Sequence, residues 1–308
     1  MNSYEVKRLK RWIYEPMNLD HTTTPLGVWR LLVLAYLMFS LLDVAGKYLV
    51  LAGFMPLFVV WSRFAGHTIF IMFMLKFWNN PGLYHTRKPL KQFIRGAMLT
   101  FTALSNFIAL RYLQLSETVA IFLASPMIIT ALSGPMLGEW AGWRHWIAVI
   151  IGFFGVIIVV RPGTTMFQWP VLFSIFSVVT YSLYAIMTRK MTETETDESM
   201  IFYSGLIPTC VLFPILFFQQ FRTVTINELF AFCIMGVFGS VGHLMLVKAH
   251  RLAPAPLIAP AVFTSIIWMI LLGYLIFNQL PDSWTVLGAS IIIASGFYLL
   301  QREHFLKN

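Results

Sequence analysis

Apolar runs of about twenty residues recur ten times along this chain, at 30–51, 56–78, 93–113, 116–137, 143–161, 167–187, 198–219, 227–247, 254–277 and 282–301. A helix rising about 1.5 Å per residue needs roughly 20 residues to cross a hydrocarbon core of about 30 Å. Within lipid the backbone has no water to bond to, so each such run must be helical. Composition removes the alternative of a soluble core: 58% of the 308 residues are hydrophobic and only 11% are charged, where a soluble domain carries about 25%. The expected fold is an all-α polytopic membrane protein of ten transmembrane helices. An even count puts both termini on the same side.

The basic residues say which side. Seventeen of the 22 Lys and Arg residues fall in the N-terminal segment, 76–95, Arg144, 189–190, 248–251 and 302–307. The alternate connections hold only Arg111, Arg161 and Arg222, and Lys47 and Arg63 lie inside spans. By the positive-inside rule both termini are cytoplasmic. Residues 1–29 read as a basic amphipathic segment on the cytoplasmic leaflet of the bilayer, and 302–308 as a cytoplasmic tail. The net charge of +9 is membrane topology and not a nucleic-acid surface, since no nucleic-acid motif accompanies it. Cys210 and Cys233 sit in apolar runs and are expected as free thiols.

The chain also repeats. At an offset of 142, Val59-Val60-Trp61-Ser62 lies over Ile201-Phe202-Tyr203-Ser204 and Lys47 over Arg189. At 137, Asn106 lies over His243, Arg111 over Lys248 and Leu115 over Leu252; at 140, Ala148 to Val156 lies over Gly288 to Gly296. The units are 30–161 and 162–301, each of five helices. Five is odd, so the second must run inverted through the membrane, an arrangement that transporters use to build an outer and an inner gate around a midplane site.

Several stretches carry a family likeness. They include Trp61-Ser62-Arg63-Phe64, Arg95-Gly96-Ala97, the run from Ala109 to Thr118 leading to Ser125-Pro126, Leu137-Gly138-Glu139-Trp140, and Gly155 to Gly163. In the second half come Ala249 to Pro256, Gly273-Tyr274, Gly288 and Gly296. On these the chain resembles an EamA-type member of the drug/metabolite transporter superfamily. The resemblance implies ten helices, an inner-membrane location and transport of a small-molecule metabolite. Riboflavin-like, S-adenosylmethionine-like and amino-acid-like solutes all remain open. Phe277-Asn278 stands near the place of Gly138-Glu139, so the acidic residue of the first half is missing from the second.

Ionisable groups inside a bilayer cost about 2.5–3.5 kcal/mol on insertion scales and call for a reason. Asp43 and Lys47, and Arg63 and His67, are each four apart and share a helix face. They form either a charged cluster lining a cavity or its gate, or an ion pair fixing the first span on the second. Asn106 and His243 are repeat-equivalent, and histidine can change charge near neutral pH. Gly236, Gly239 and Gly242 precede His243 and either clear its surroundings or serve close packing. The substrate-binding candidates are therefore Asn106, His243, Asp43, Trp61, Tyr184, Tyr203 and Trp268, with Tyr181 a further aromatic. The gating or ion-pair candidates are Lys47, Arg63, Arg189, Arg111 and Lys248. Pro126, Pro135, Pro208, Pro214, Pro256 and Pro260 should bend spans 4, 7 and 9. Glu139 and Arg144 read as a solvated or loop-fixing turn, and Glu193, Glu195, Asp197 and Glu198 as a solvated loop.

A secondary carrier working by alternating access, as a monomer or homodimer, accounts for all of this. No G-x-x-x-x-G-K-[ST] stretch is present for ATP-driven pumping. A lipid flippase or scramblase is the alternative, with an intramembrane enzyme behind it for want of H-E-x-x-H, G-x-S-x-G or paired acids. No catalytic residue, metal or cofactor is expected.

Overall fold

A computed structural model of the chain describes residues 26–79, 81–140, 143–161, 169–218 and 223–305. The expected amphipathic segment at 1–29 lies mostly outside them; its last residues already belong to the first helix. The described residues are all-helical apart from turns: α1 Leu26–Leu51, α2 Pro56–Met74, α3 Pro89–Tyr112, α4 Leu115–Phe122, α5 Ser125–Leu137, α6 Trp143–Val160, α7 Val171–Met191, α8 Asp197–Leu212, α9 Ile226–Leu252, α10 Ala255–Ile258, α11 Thr264–Phe277 and α12 Ser283–Phe305. Among them, 7 stretches are long and apolar enough to cross a membrane, α4 and α5 counting as one, and three shorter apolar helices cover Ile150–Val160, Ala261–Phe277 and Ser283–Ser295.

The ends of these helices follow local chemistry. Thr225 and Glu228 cap α9 reciprocally, the Glu228 carboxylate taking the Thr225 N–H at 2.8 Å and the Thr225 hydroxyl taking the Glu228 N–H at 3.4 Å. Thr196 caps α8 by accepting from the Ser199 N–H. The second span was expected to run to 78. Instead α2 stops at Met74, where Lys76 turns into the left-handed region at φ 50.

Two spans that read as continuous are broken, and at equivalent places in the two halves. The 116–137 run divides into α4 and α5 at Leu123-Ala124, just before Pro126. The 254–277 run divides into α10, a 3-10 stretch Ala259–Phe263 containing Pro260, and α11. Proline has no N–H to give the preceding turn, which frees a carbonyl and opens the helix. Pro135 and Pro208 sit inside α5 and α8 without ending them, so proline position rather than proline content decides where the break falls.

The most extensive helix packing crosses between the halves. α1 packs on α9 and its counterpart α7 packs on α3; α2 packs on α8, and α6 on α12. The two units therefore interleave into one bundle. Its outer surface is apolar, unlike that of a soluble protein, and its interior holds polar groups among the packed apolar side chains. Phe73, Phe101, Phe154, Phe176, Phe230 and Leu275 are exposed on the outside, while Arg95, Gln92, Ser204, Ser240 and His243 are buried. Cys210 and Cys233 are free and exposed. Such a surface is compatible with lipid and not with water. Gly236, Gly239 and Gly242 turn out to serve packing: they abut Gly66, Leu42 and Phe39.

Candidate functional site

A cavity of about 90 Å³ lies in the middle of the bundle, room for roughly half a dozen waters. α1 contributes Tyr36, Ser40 and Asp43, spaced to share a helix face; α2 contributes Arg63, α3 Thr102 and Asn106, α7 Ser177 and Tyr181, and α9 His243. The two broken spans close it with Thr118 and Phe122 from α4, Val262 from the 3-10 stretch, and Ser265 and Met269 from α11. Discontinuous helices around a central cavity are a recurring way to present a binding site in membrane carriers.

Its polar groups are held separately. Asn106 Nδ2 donates to Asp43 Oδ1 at 3.0 Å. Arg63 stacks on the Phe64 ring, 4.8 Å from its centroid, and on Phe107 at 5.9 Å, and its Nη2 donates to His243 Nε2 at 3.4 Å. Arginine can only donate, so His243 Nε2 is the accepting nitrogen and the imidazole is neutral in this arrangement, with Nδ1–H directed at Tyr184 Oη, 3.4 Å away. Asp43 and Arg63 form no ion pair with each other; the ion pairs of the described residues lie at the ends of the helices. Arg63 Nε is buried without a partner. An aromatic wall completes the cavity: Tyr36 and Tyr181 hydroxyls are 3.2 Å apart, and the Phe122 and Tyr181 rings have centroids 4.7 Å apart.

Of the residues singled out from sequence, Asn106, His243, Asp43 and Arg63 line this cavity, as does Tyr181. Tyr184 stands one layer behind, fully buried between His243 and Arg95. Trp61, Tyr203 and Trp268 do not line it. Trp61 stacks on Phe58, Trp268 packs partly buried in α11 with its Nε1 unpartnered, and Tyr203 Oη donates to Tyr84 O at 2.9 Å. Repeat equivalence linked Trp61 to Tyr203, but it cannot say which way a ring points. Arg111 is exposed with its guanidinium over Tyr112, and Lys248 lies within electrostatic reach of Asp197 and Glu198; neither reaches the cavity. Tyr36, Thr102 and Ser177 went unnoticed in the sequence, although the seven-residue interval from Tyr36 to Asp43 places the two on one helical face.

Arg95 is a buried charge whose role the sequence does not state. Its sequence position among Lys88, Lys91 and the loop cations suggests a solvated charge, yet it is fully buried. It lies in the second turn of α3 and donates to Gln92 Oε1 at 2.9 Å, to the Met200 carbonyl and to Tyr184 Oη at 3.4 Å. Leaving a buried acceptor unmatched costs about 1–3 kcal/mol. Arg95→Leu is therefore expected to lower stability by at least that much, read as thermal unfolding in detergent, with Arg95→Lys in between; an unchanged melting point would contradict this account.

Two repeat-related clusters sit beyond the cavity at the helix ends. Lys47 Nζ donates to Leu113 O at 2.8 Å and to Gln279 Oε1 at 3.0 Å. Arg189 Nη1 donates to His250 O at 3.0 Å and its Nε to Glu139 Oε1 at 2.9 Å. Each position of one cluster has its counterpart in the other, 137 to 142 residues away along the chain, and each cation reaches across to the opposite half for its acid or amide. The backbone matches too. Gly138 at φ 75 and Asn278 at φ 52 end α5 and α11, with Gly138 N donating to Gly134 O and Asn278 N to Tyr274 O, the 5→1 bond of a left-handed cap, and with Glu139 N donating to Ser133 O and Gln279 N to Gly273 O in the same way at both ends. The counterpart of Glu139 is thus Gln279, one residue beyond Phe277-Asn278, and the acid is replaced by its amide.

The Arg189 end is further laced. Glu139 Oε2 accepts from Ala255 N at 3.1 Å, and Arg251 pairs with Asp197 at 2.5 Å while donating to Thr192 O and Glu195 O. Glu195, expected in a solvated loop, is buried and accepts from the Arg87 and Lys88 N–H groups at 3.0 Å each. Backbone donors without helical partners drew it in. Arg144 was expected in the turn beside Glu139; its side chain lies outside what the structure describes.

Comparison with known proteins agrees with this picture. The EamA-like transporter family matches the chain twice, over residues 28–161 and 168–301. The S-adenosylmethionine uptake transporter of Rickettsia prowazekii is 27% identical over 245 residues, 80% of this chain and 83% of the relative. The riboflavin transporter of Rhizobium johnstonii is 23% identical over 274 residues, 88% of this chain and 90% of the relative. The pseudopaline exporter of Pseudomonas aeruginosa is 21% identical over 216 residues, 66% and 72%. A solved crystal structure superposes with a TM-score of 0.69 over 92% of this chain and 100% of its own, at 14% identity, a likeness of fold alone. The chain belongs to the EamA-like transporter family and is a transporter of small metabolites.

Proposed function

We propose that this protein is a secondary carrier working by alternating access, with ten membrane passes built as two inverted five-helix repeats, 30–161 and 162–301, and both termini in the cytoplasm of the inner membrane. The observation that carries this reading is the pair of matching end clusters on either side of one cavity. On the ten-pass path Lys47 and Arg189 are five passes apart, so their clusters face opposite sides, Lys47 outward and Arg189 inward. Each ties the end of one broken span to a helix of the other half, and releasing one while keeping the other opens the cavity to one side only. Asp43, Arg63, Asn106 and His243 form the central site, with Tyr184 supporting His243 from behind. The basic-residue distribution supports the inward assignment of the Arg189 end.

The relatives' names place S-adenosylmethionine and riboflavin first among solutes to test. Purified protein in liposomes is expected to take up one of them saturably, above protein-free liposomes, and to melt at higher temperature in its presence. Absence of both uptake and stabilisation across a metabolite panel would overturn the carrier reading.

A further inference from the structure

Behind the cavity wall the polar groups continue as one hydrogen-bonded line across α3, α7, α9 and α2. Arg95 of α3 is its anchored end. It is held by Gln92 Oε1 and the Met200 carbonyl, its Nη1 donates to Tyr184 Oη at 3.4 Å, and its guanidinium lies 5.4 Å from the centroid of the Tyr184 ring. Tyr184 Oη of α7 meets His243 Nδ1 of α9 at 3.4 Å, and His243 Nε2 meets Arg63 Nη2 of α2 at 3.4 Å. Arg63 and His243 line the cavity; Tyr184 and Arg95 do not. A neutral imidazole has one donor nitrogen and one acceptor, and a guanidinium can only donate. Nε2 therefore accepts and the ring proton sits on Nδ1. The Tyr184 oxygen accepts from both sides, from Arg95 and from His243, which uses its two lone pairs. The imidazole is also boxed in edge to face by Phe39, His67 and Tyr184, with centroids 4.9, 5.8 and 6.0 Å away, so its orientation is set along with its tautomer.

We propose that Tyr184 and Arg95 are positioning residues that lock His243 as the neutral Nδ1–H tautomer, whose Nε2 lone pair holds the Arg63 guanidinium in place on the cavity wall. His243 is then a fixed acceptor and takes up no proton in the transport cycle, although a histidine inside a span suggests a group that changes charge. A proton on Nε2 would meet the Arg63 N–H donor to donor and set a second positive charge beside the first. The other groups around the ring leave this unchanged. α2 also brings His67, whose Nε2 bonds the Ile201 carbonyl, and α7 brings Tyr184 with the Arg95 charge behind it. α1 brings Tyr36 and Asp43 across the cavity; Tyr36 is bonded to Tyr181, and Asp43 accepts from Asn106 and is coupled electrostatically to Arg63. At the start of α8, Asp197 is taken by Arg251, and α10 has no titratable side chain.

This inference rests on the carrier reading and deepens it. The test uses purified full-length protein in liposomes, with S-adenosylmethionine and riboflavin as probes and rates divided by the amount of folded protein. Tyr184→Phe keeps the ring and removes the oxygen that both donors share. It is expected to raise KM about tenfold and leave kcat within about twofold, the signature of a lost binding contact. A merely structural role would lower the amount of folded protein and leave KM where it was. His243→Gln keeps a side-chain oxygen that can accept from Arg63 but cannot take a charge. Whatever its rate, its uptake is expected to vary with pH in the same shape as that of the unaltered protein between about pH 5 and 8, the range in which histidine titrates. An inflection present in the unaltered protein and lost in His243→Gln would overturn the inference, since the ring would then be taking up a proton. An unchanged KM in Tyr184→Phe would overturn it as well, and both results leave the carrier reading standing. Should one variant not fold, the other decides alone. No uptake of either probe by the unaltered protein, with no stabilisation across a metabolite panel, would remove both.

Discussion

Gly288→Leu leaves no properly folded protein in the membrane. A side chain added at Gly288 would start 2.5 Å from the Gly155 carbonyl oxygen and 2.6 Å from Val159 Cγ2, and one added at Gly155 would start 2.8 Å from the Gly288 carbonyl. The obstacle is backbone in both directions, so no rotamer change relieves it. Overpacking of a yielding core costs about 1–3 kcal/mol; here α6 and α12 must separate, and the loss exceeds that range. Small residues where two helices touch are a main source of association in lipid, because apolar side chains gain little by leaving acyl chains. Size-exclusion profiles of a fluorescent fusion check this, Gly288→Leu running as aggregate or absent. Gly27→Ala is the control: nothing lies within 4 Å of its added carbon, and alanine is the better helix former by about 1 kcal/mol. A monodisperse, equally stable Gly288→Leu would refute the close crossing.

The second large effect concerns the end clusters. Glu139→Gln turns the Arg189 cluster into a copy of the Lys47 cluster, where Gln279 already holds the equivalent place. Hydrogen bonds to charged groups contribute about 1.5–3 kcal/mol against roughly 0.5–1.5 for neutral ones. The substitution therefore removes on the order of 1 kcal/mol from the closed Arg189 end, a shift of about fivefold in a two-state equilibrium. Ser177 lines the cavity, so Ser177→Cys, with Cys210 and Cys233 replaced by alanine, reports access. Modification by a membrane-impermeant thiol reagent from the cytoplasmic face should rise about fivefold in Glu139→Gln. Gln279→Glu should do the reverse at the other end, giving Lys47 a carboxylate and slowing modification from outside. Equal labelling in all three backgrounds would show that these clusters hold nothing shut.

Hydrophobic spacing, charge placement and internal repetition were enough to read an all-helical membrane protein with two related halves, because all three are linear properties of the chain. Repeat offsets even paired Lys47 with Arg189 and Asn106 with His243. They could not reveal that Asn106 serves Asp43 while His243 serves Arg63, since those partners come from helices whose packing partners the linear order does not state. Arg95 shows the same limit from the other side. Its neighbours in sequence are solvated cations, and only the approach of α8, with the Met200 carbonyl, and of α7, with Tyr184, makes a buried site for it. Trp61 and Tyr203 matched across the repeats and point away from the cavity, because equivalence fixes depth along a helix and not rotation about it.

The runs of about twenty apolar residues thus determined by themselves that the solvent is lipid and the backbone helical, since no other structure satisfies every peptide group there. Whether a polar side chain within a run faces lipid, a neighbouring helix or the cavity depends on which helices touch. Here the halves interleave, α1 on α9 and α3 on α7, and those contacts, between helices far apart along the chain, placed Asp43 and Arg63 around one space.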